Sequence, residues 1–64
     1  MEQHQQRVVD EQKELDIKIK GLQRFIEGGD VFDKLPKAER EDMMKQLNHM
    51  RVYTSILTRR INRF

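Results

Sequence analysis

The chain has 64 residues and a mass of 7.8 kDa, enough for one small domain that buries only about 60% of its unfolded surface. Hydrophobic residues make up 36% and charged residues 38%, and cysteine is absent, so neither a disulfide framework nor a thiolate zinc site can reinforce the core. A formal charge of +2 falls far short of the concentrated basic surface of a dedicated duplex-DNA binder. Self-association is the stabilising device that remains.

The first six residues, Met1-Glu2-Gln3-His4-Gln5-Gln6, are polar and open no signal peptide. No apolar run approaches the ~18 residues needed to span a bilayer, so the expected compartment is the cytoplasm. Helix one is predicted from about residue 3 to about residue 27. Its seam reads Gln5, Val8, Gln12, Leu15, Ile19, Leu22 and Ile26, alternating steps of three and four. The C-terminal half of that seam is aliphatic, whereas two glutamines interrupt the N-terminal half. Polar groups on a seam cost stability and specify register or partner, so that half is expected to face something other than a dry core.

Glu27-Gly28-Gly29-Asp30 stops the helix, because paired glycines supply a left-handed cap and a turn. Val31, Phe32 and Leu35 are too apolar for a free loop, and a short helical turn is expected with Phe32 packed back over the hairpin. Pro36 suits the first position of helix two, with Glu39, Glu41 and Asp42 early and Arg59, Arg60 and Arg63 late, as the helix dipole favours. That helix should run from about 36 to about 63, roughly 40 Å at 1.5 Å per residue.

Helix two carries the most regular pattern in the chain. Met43, Leu47, Met50, Thr54, Leu57, Ile61 and Phe64 follow at alternating steps of four and three, a stripe that asks for helical partners. The expected architecture is all-α: one domain over residues 1–64, two long antiparallel helices joined by the Gly-Gly turn at 28–35, assembled as a homo-oligomeric helical bundle. Such a hairpin leaves a second apolar shoulder, Val9, Ile17 and Phe25 on helix one with Met44, Val52, Tyr53 and Ile56 on helix two. Exposed patches of that kind mark interfaces. Tyr53, beside the seam, reads as core packing with a tethered hydroxyl.

Catalysis finds little support. Ser55 and Thr54 lie within a helix without a His–Asp pair, and His4 and His49 lack HExxH or Cys/His spacing. No catalytic residue, metal site or cofactor is expected. The N-terminal stripe His4, Arg7, Glu11, Glu14, Lys18, Gly21 and Phe25 admits two readings. The plainer one is a solvated flank laced with Arg7–Glu11 and Glu14–Lys18 pairs, each contributing ~0.2–0.5 kcal/mol. The functional one is a cleft between two copies of helix one, where an imidazole stacks on a base and Lys18 or Lys20 neutralises a phosphate.

The segment from His4 to Glu11, Leu15, and the Leu22-x-x-Phe25-Ile26 stretch belong to a wider pattern. It continues through Phe32-x-x-Leu35-Pro36-x-x-Glu39-Arg40 to Met50-x-x-Tyr53-x-x-x-Leu57-x-x-Arg60-Ile61-x-x-Phe64. Together these residues resemble small tailed-phage proteins that act as anti-CBASS cyclic-nucleotide sponges. The resemblance implies a compact helical homohexamer of interlocked dimers. It also implies binding of cyclic dinucleotides, and in some members cyclic trinucleotides, without cleavage, which withholds the second messenger from the host's CBASS effector. The setting would be the cytoplasm of an infected bacterial host.

In that family the dinucleotide lies between N-terminal helices of neighbouring protomers, on an aromatic near the start and a lysine further along. Helix one of this chain has no tyrosine, so His4 or Gln5 stands in the aromatic's place. The expected ligand contacts are His4, Gln5, Arg7, Val8, Lys18, Lys20 and Arg60. Lys20 is the first choice for the phosphate, Lys18 the second, and Arg60 the candidate for a trinucleotide site. The expected partners are thus cyclic nucleotides and further copies of the chain, not membrane, DNA or RNA. The alternative is a helical-hairpin module that docks onto another protein and holds no small ligand.

Overall fold

A computed structural model describes residues 2–64. Two helices of 26 residues each, α1 (Gln3–Gly28) and α2 (Lys37–Asn62), flank a short 3₁₀ turn at Phe32–Lys34. The helices pack side by side in a rod of 46 × 15 × 13 Å, and no strand occurs among the described residues.

The local sequence accounts for each boundary. At the start of α1 the Gln5 side chain accepts a hydrogen bond from the Glu2 backbone N–H at 3.1 Å, satisfying a donor that the helix itself leaves free. At its end Gly29 takes φ 78°, a conformation that side chains resist, and the chain reverses there. The Lys34 N–H then bonds the Val31 carbonyl and the Leu35 N–H the Phe32 carbonyl, each at 3.1 Å, which winds the 3₁₀ turn. Phe32 is buried and meets Phe25 edge to face at 6.4 Å, so it does pack back over the hairpin. Pro36 sits at the cap position, one residue before the first helical residue, and its carbonyl accepts from the Arg40 N–H at 3.0 Å.

The core is the two predicted seams brought face to face. Val8, Leu15, Ile19, Leu47 and Leu57 are buried, with Leu22, Ile26, Met50 and Ile61 packed around them. Leu57 alone is fully enclosed. Phe64 departs from the expected seam: it lies beyond the end of α2 and is 46% exposed.

The glutamine-bearing half of the α1 seam is also filled from within the chain. Gln12 Nε2 donates to the Thr54 carbonyl at 3.2 Å and to Thr58 Oγ1, while Thr54 Oγ1 donates to Asp16 Oδ1 at 2.7 Å. The expectation that this half faces something else is corrected at Gln12. Its amide finds its acceptors on α2, and a polar layer replaces the dry core there. Because these bonds join residues 12 and 16 to residues 54 and 58, they set the level at which the helices meet.

Candidate functional site

The seven candidate residues fall into groups that depend on where each side chain leaves its helix. An α-helix turns about 100° per residue, and the seams at Leu15, Ile19 and Leu57 mark the directions in which α1 and α2 face each other. On that basis Asp16 and Lys20 share one flank of the hairpin, the flank where Asp16 meets Thr54. His4, Arg7 and Lys18 leave α1 on the opposite flank. Arg60 and Tyr53 leave α2 on that same side.

The antiparallel pairing then decides what lies level with what. Since Asp16 reaches Thr54 and Gln12 reaches Thr58, Arg7 lies close to the level of Arg60, at the open end of the hairpin. The structure thus gathers His4, Arg7 and Arg60 at one end of one flank. Lys18 shares the flank but sits eleven residues beyond Arg7, about 16 Å along the helix, and about 21 Å from His4. Lys20 is carried to the other flank.

The two remaining candidates are engaged in the fold. Val8 is buried in the core and presents no surface to a ligand in the single chain. Gln5 is half-buried and its side-chain oxygen caps α1. Tyr53 corrects the reading that gave it a core-packing role. It is not core packing but 42% exposed, on the flank of Lys18 and near its level, in keeping with its place on the expected apolar shoulder of helix two.

The cations of the candidate flank are free of carboxylates. Among the described residues the one ion pair joins Lys37 to Glu41 at 3.9 Å, so neither the Arg7–Glu11 nor the Glu14–Lys18 pair forms. Glu11 and Glu14 nevertheless share the flank with Arg7, Lys18 and Arg60, and Asp42, about five turns before Arg60, leaves α2 on the same side, so three carboxylates balance three cations along the flank. Its attraction for an anion is local rather than long-range.

Two hollows, about 210 and 240 Å³, lie at the turn end. The first is bounded by Phe32, Lys37, Arg40, Glu41 and Met44, the second by Arg24, Phe25, Gly28, Gly29, Asp30 and Val31. None of the seven candidates borders either, and each is smaller than the ~300–1,000 Å³ usual for a ligand of drug size or larger. Of the two hydroxyls, Ser55 Oγ donates to the Val52 carbonyl at 2.7 Å and Thr54 Oγ1 to Asp16 Oδ1 at 2.7 Å. Among the described residues no helix is long and apolar enough to cross a membrane.

A family model described as Sequestin matches residues 2–63 of the chain. The chain belongs to the Sequestin family. The match takes in both helices and the turn, so the whole hairpin, rather than a fragment of it, is the Sequestin unit. No curated protein and no solved structure matches the chain.

Proposed function

We propose that this Sequestin is a phage immune-evasion protein that binds cyclic oligonucleotide second messengers and holds them without cleavage, keeping them from a CBASS effector. The observation that carries the reading is the family match across residues 2–63, since the family's name denotes sequestering rather than transforming a ligand. The spaced-residue resemblance to anti-CBASS sponges supports the ligand class. Cations without carboxylate partners beside an exposed tyrosine and a histidine support the chemistry: phosphates for the cations, base faces for the rings.

The ligand sits between two chains. One copy separates His4 from Lys18 by about 21 Å, too far for a single dinucleotide. Two α1 helices paired antiparallel about Glu11 set His4 of one copy level with Lys18 of the other, because residue 11 is the midpoint of 4 and 18. A two-fold site of that sort presents every group twice, as a cyclic dinucleotide with like linkages presents its phosphates. A ligand of about 45 heavy atoms at ~0.3 kcal/mol per atom reaches about −13 kcal/mol, in the nanomolar range that a stoichiometric trap requires. The assembly implied by the resemblance is a homohexamer, and Arg60 is the contact proposed for a trinucleotide.

Titration calorimetry with a cyclic GMP–AMP dinucleotide, on protein whose assembled mass is known from light scattering, tests the reading. Submicromolar binding at one ligand per two chains, with the nucleotide recovered intact, is the expected result. A folded protein that gives no heat with a panel of cyclic di- and trinucleotides overturns it and favours the protein-docking module.

A further inference from the structure

The chain carries three phenylalanines and one tyrosine, and the phenylalanines are accounted for. Phe32 is buried, Phe25 meets it edge to face, and Phe64 lies beyond the end of α2. Tyr53 remains, 42% exposed on the flank of His4, Arg7 and Lys18. A tyrosine ring held on a helix offers a rigid apolar face on which a nucleobase stacks.

The level of Tyr53 decides what it can reach. Asp16 bonds Thr54, so Tyr53, one residue earlier on the antiparallel helix, is level with residue 17 of α1. His4 of the same chain is thirteen residues from that level, about 20 Å along the axis, so the two rings of one chain cannot hold the same base. Two copies remove that distance. In the pairing about Glu11 proposed above, residue 17 of one copy is level with residue 5 of the other. Tyr53 then lies one residue, about 1.5 Å along the axis, from the level of the partner's His4. Lys18 of the same copy as Tyr53 is level with that His4. The two-fold that sets the α1 helices face to face also lays both α2 helices on one side of the pair. His4, Lys18 and Tyr53 therefore all leave their helices toward the space between the copies.

We propose that Tyr53 is a base-stacking residue of the dinucleotide site and that it acts across chains. The Tyr53 ring of one copy and the imidazole of the partner's His4 close on opposite faces of one base, with Lys18 on the adjoining phosphate. The two-fold repeats this clamp, one for each base of the ligand. The clamp rests on the cyclic-nucleotide reading and adds to it a residue of α2, in a site otherwise built from α1 alone.

The chain has one tyrosine and no tryptophan, so its tyrosine emission belongs to Tyr53 alone. Cyclic GMP–AMP is expected to quench that emission, saturating at the same one ligand per two chains as the heat in calorimetry. Tyr53→Ala is expected to weaken binding about tenfold or more, the contribution usual for a stacked aromatic, with helicity and assembled mass unchanged. Tyr53→Phe keeps the ring face and is expected within about threefold of wild type. The arrangement across chains has its own readout, because the chain lacks cysteine. In the double variant His4→Cys, Tyr53→Cys a short bifunctional maleimide, added with or without the nucleotide, is expected to join two chains on a denaturing gel. Either single variant is expected to stay unjoined, since like positions lie about 18 Å or more apart in the pair.

Heat from wild type with unchanged tyrosine emission, or with Tyr53→Ala binding within about twofold of it, overturns the role of Tyr53 and leaves the sponge reading standing. A double variant that stays single-chained in both conditions overturns the clamp between copies. No heat from folded wild type overturns the sponge reading and the clamp together.

Discussion

Thr54 shows how much a single side chain carries in so small a core. It occupies a seam position where an apolar residue would be unremarkable, yet its hydroxyl holds the half-buried Asp16 carboxylate at 2.7 Å while its carbonyl accepts from Gln12. Thr54→Val preserves the shape and removes the donor, so the unfolding free energy should fall by about 1–2 kcal/mol, read as a lower urea midpoint at unchanged slope. The two lysines of α1 offer a second residue-scale test. They are two positions apart, yet only Lys18 shares the flank of His4 and Arg7. Lys18→Ala should weaken cyclic-dinucleotide binding about tenfold or more in calorimetry, through the loss of a charge-assisted contact. Lys20→Ala, although Lys20 was the sequence's first choice, should leave the affinity within a factor of about two. Equal losses from both would place the ligand elsewhere.

At the scale of elements, the turn is the least forgiving part of the hairpin. Gly29 holds φ 78°, and a Cβ there would also stand 3.3 Å from Asp33 Oδ2, a contact tighter than ordinary packing. Gly29→Ala should therefore cost about 1–2 kcal/mol in a denaturant melt, whereas Gly28, whose added Cβ meets nothing within 4 Å, should accept alanine at little cost. The helices themselves differ in charge. All 11 acidic residues precede residue 43, and the segment 43–64 holds Lys45, Arg51, Arg59, Arg60 and Arg63 with no carboxylate. The C-terminal part of α2 thus projects cations on its outer edge and on the candidate flank alike, which sets that part of α2 against its own copy and favours carboxylate-bearing or phosphate-bearing neighbours.

As a whole molecule the hairpin is underbuilt. One residue, Leu57, is fully enclosed, and Ile17, Val31 and Val52 are each at least 59% exposed. A two-helix layer of this size supplies few kcal/mol by itself, so folding and association should be linked. The melting temperature followed by circular dichroism is accordingly expected to rise with protein concentration, as mass action requires when the folded state is the one that associates. A midpoint independent of concentration over two or more decades would mean that the single chain is stable alone and that its apolar edges serve another partner.

The sequence by itself determined the local architecture. Three-and-four spacing marked both seams, from Val8 to Ile26 and from Met43 to Ile61, because burial on a helix repeats with the helix's own period. The glycine pair and Phe32 placed the turn, because backbone conformation and the burial of one aromatic are short-range matters. Only the tertiary structure decided the level at which the two helices meet. That level depends on contacts between residues about 40 positions apart, Gln12 with Thr58 and Asp16 with Thr54, which periodicity does not encode. From it follow the polar layer around Gln12 and the gathering of His4 and Arg7 near Arg60.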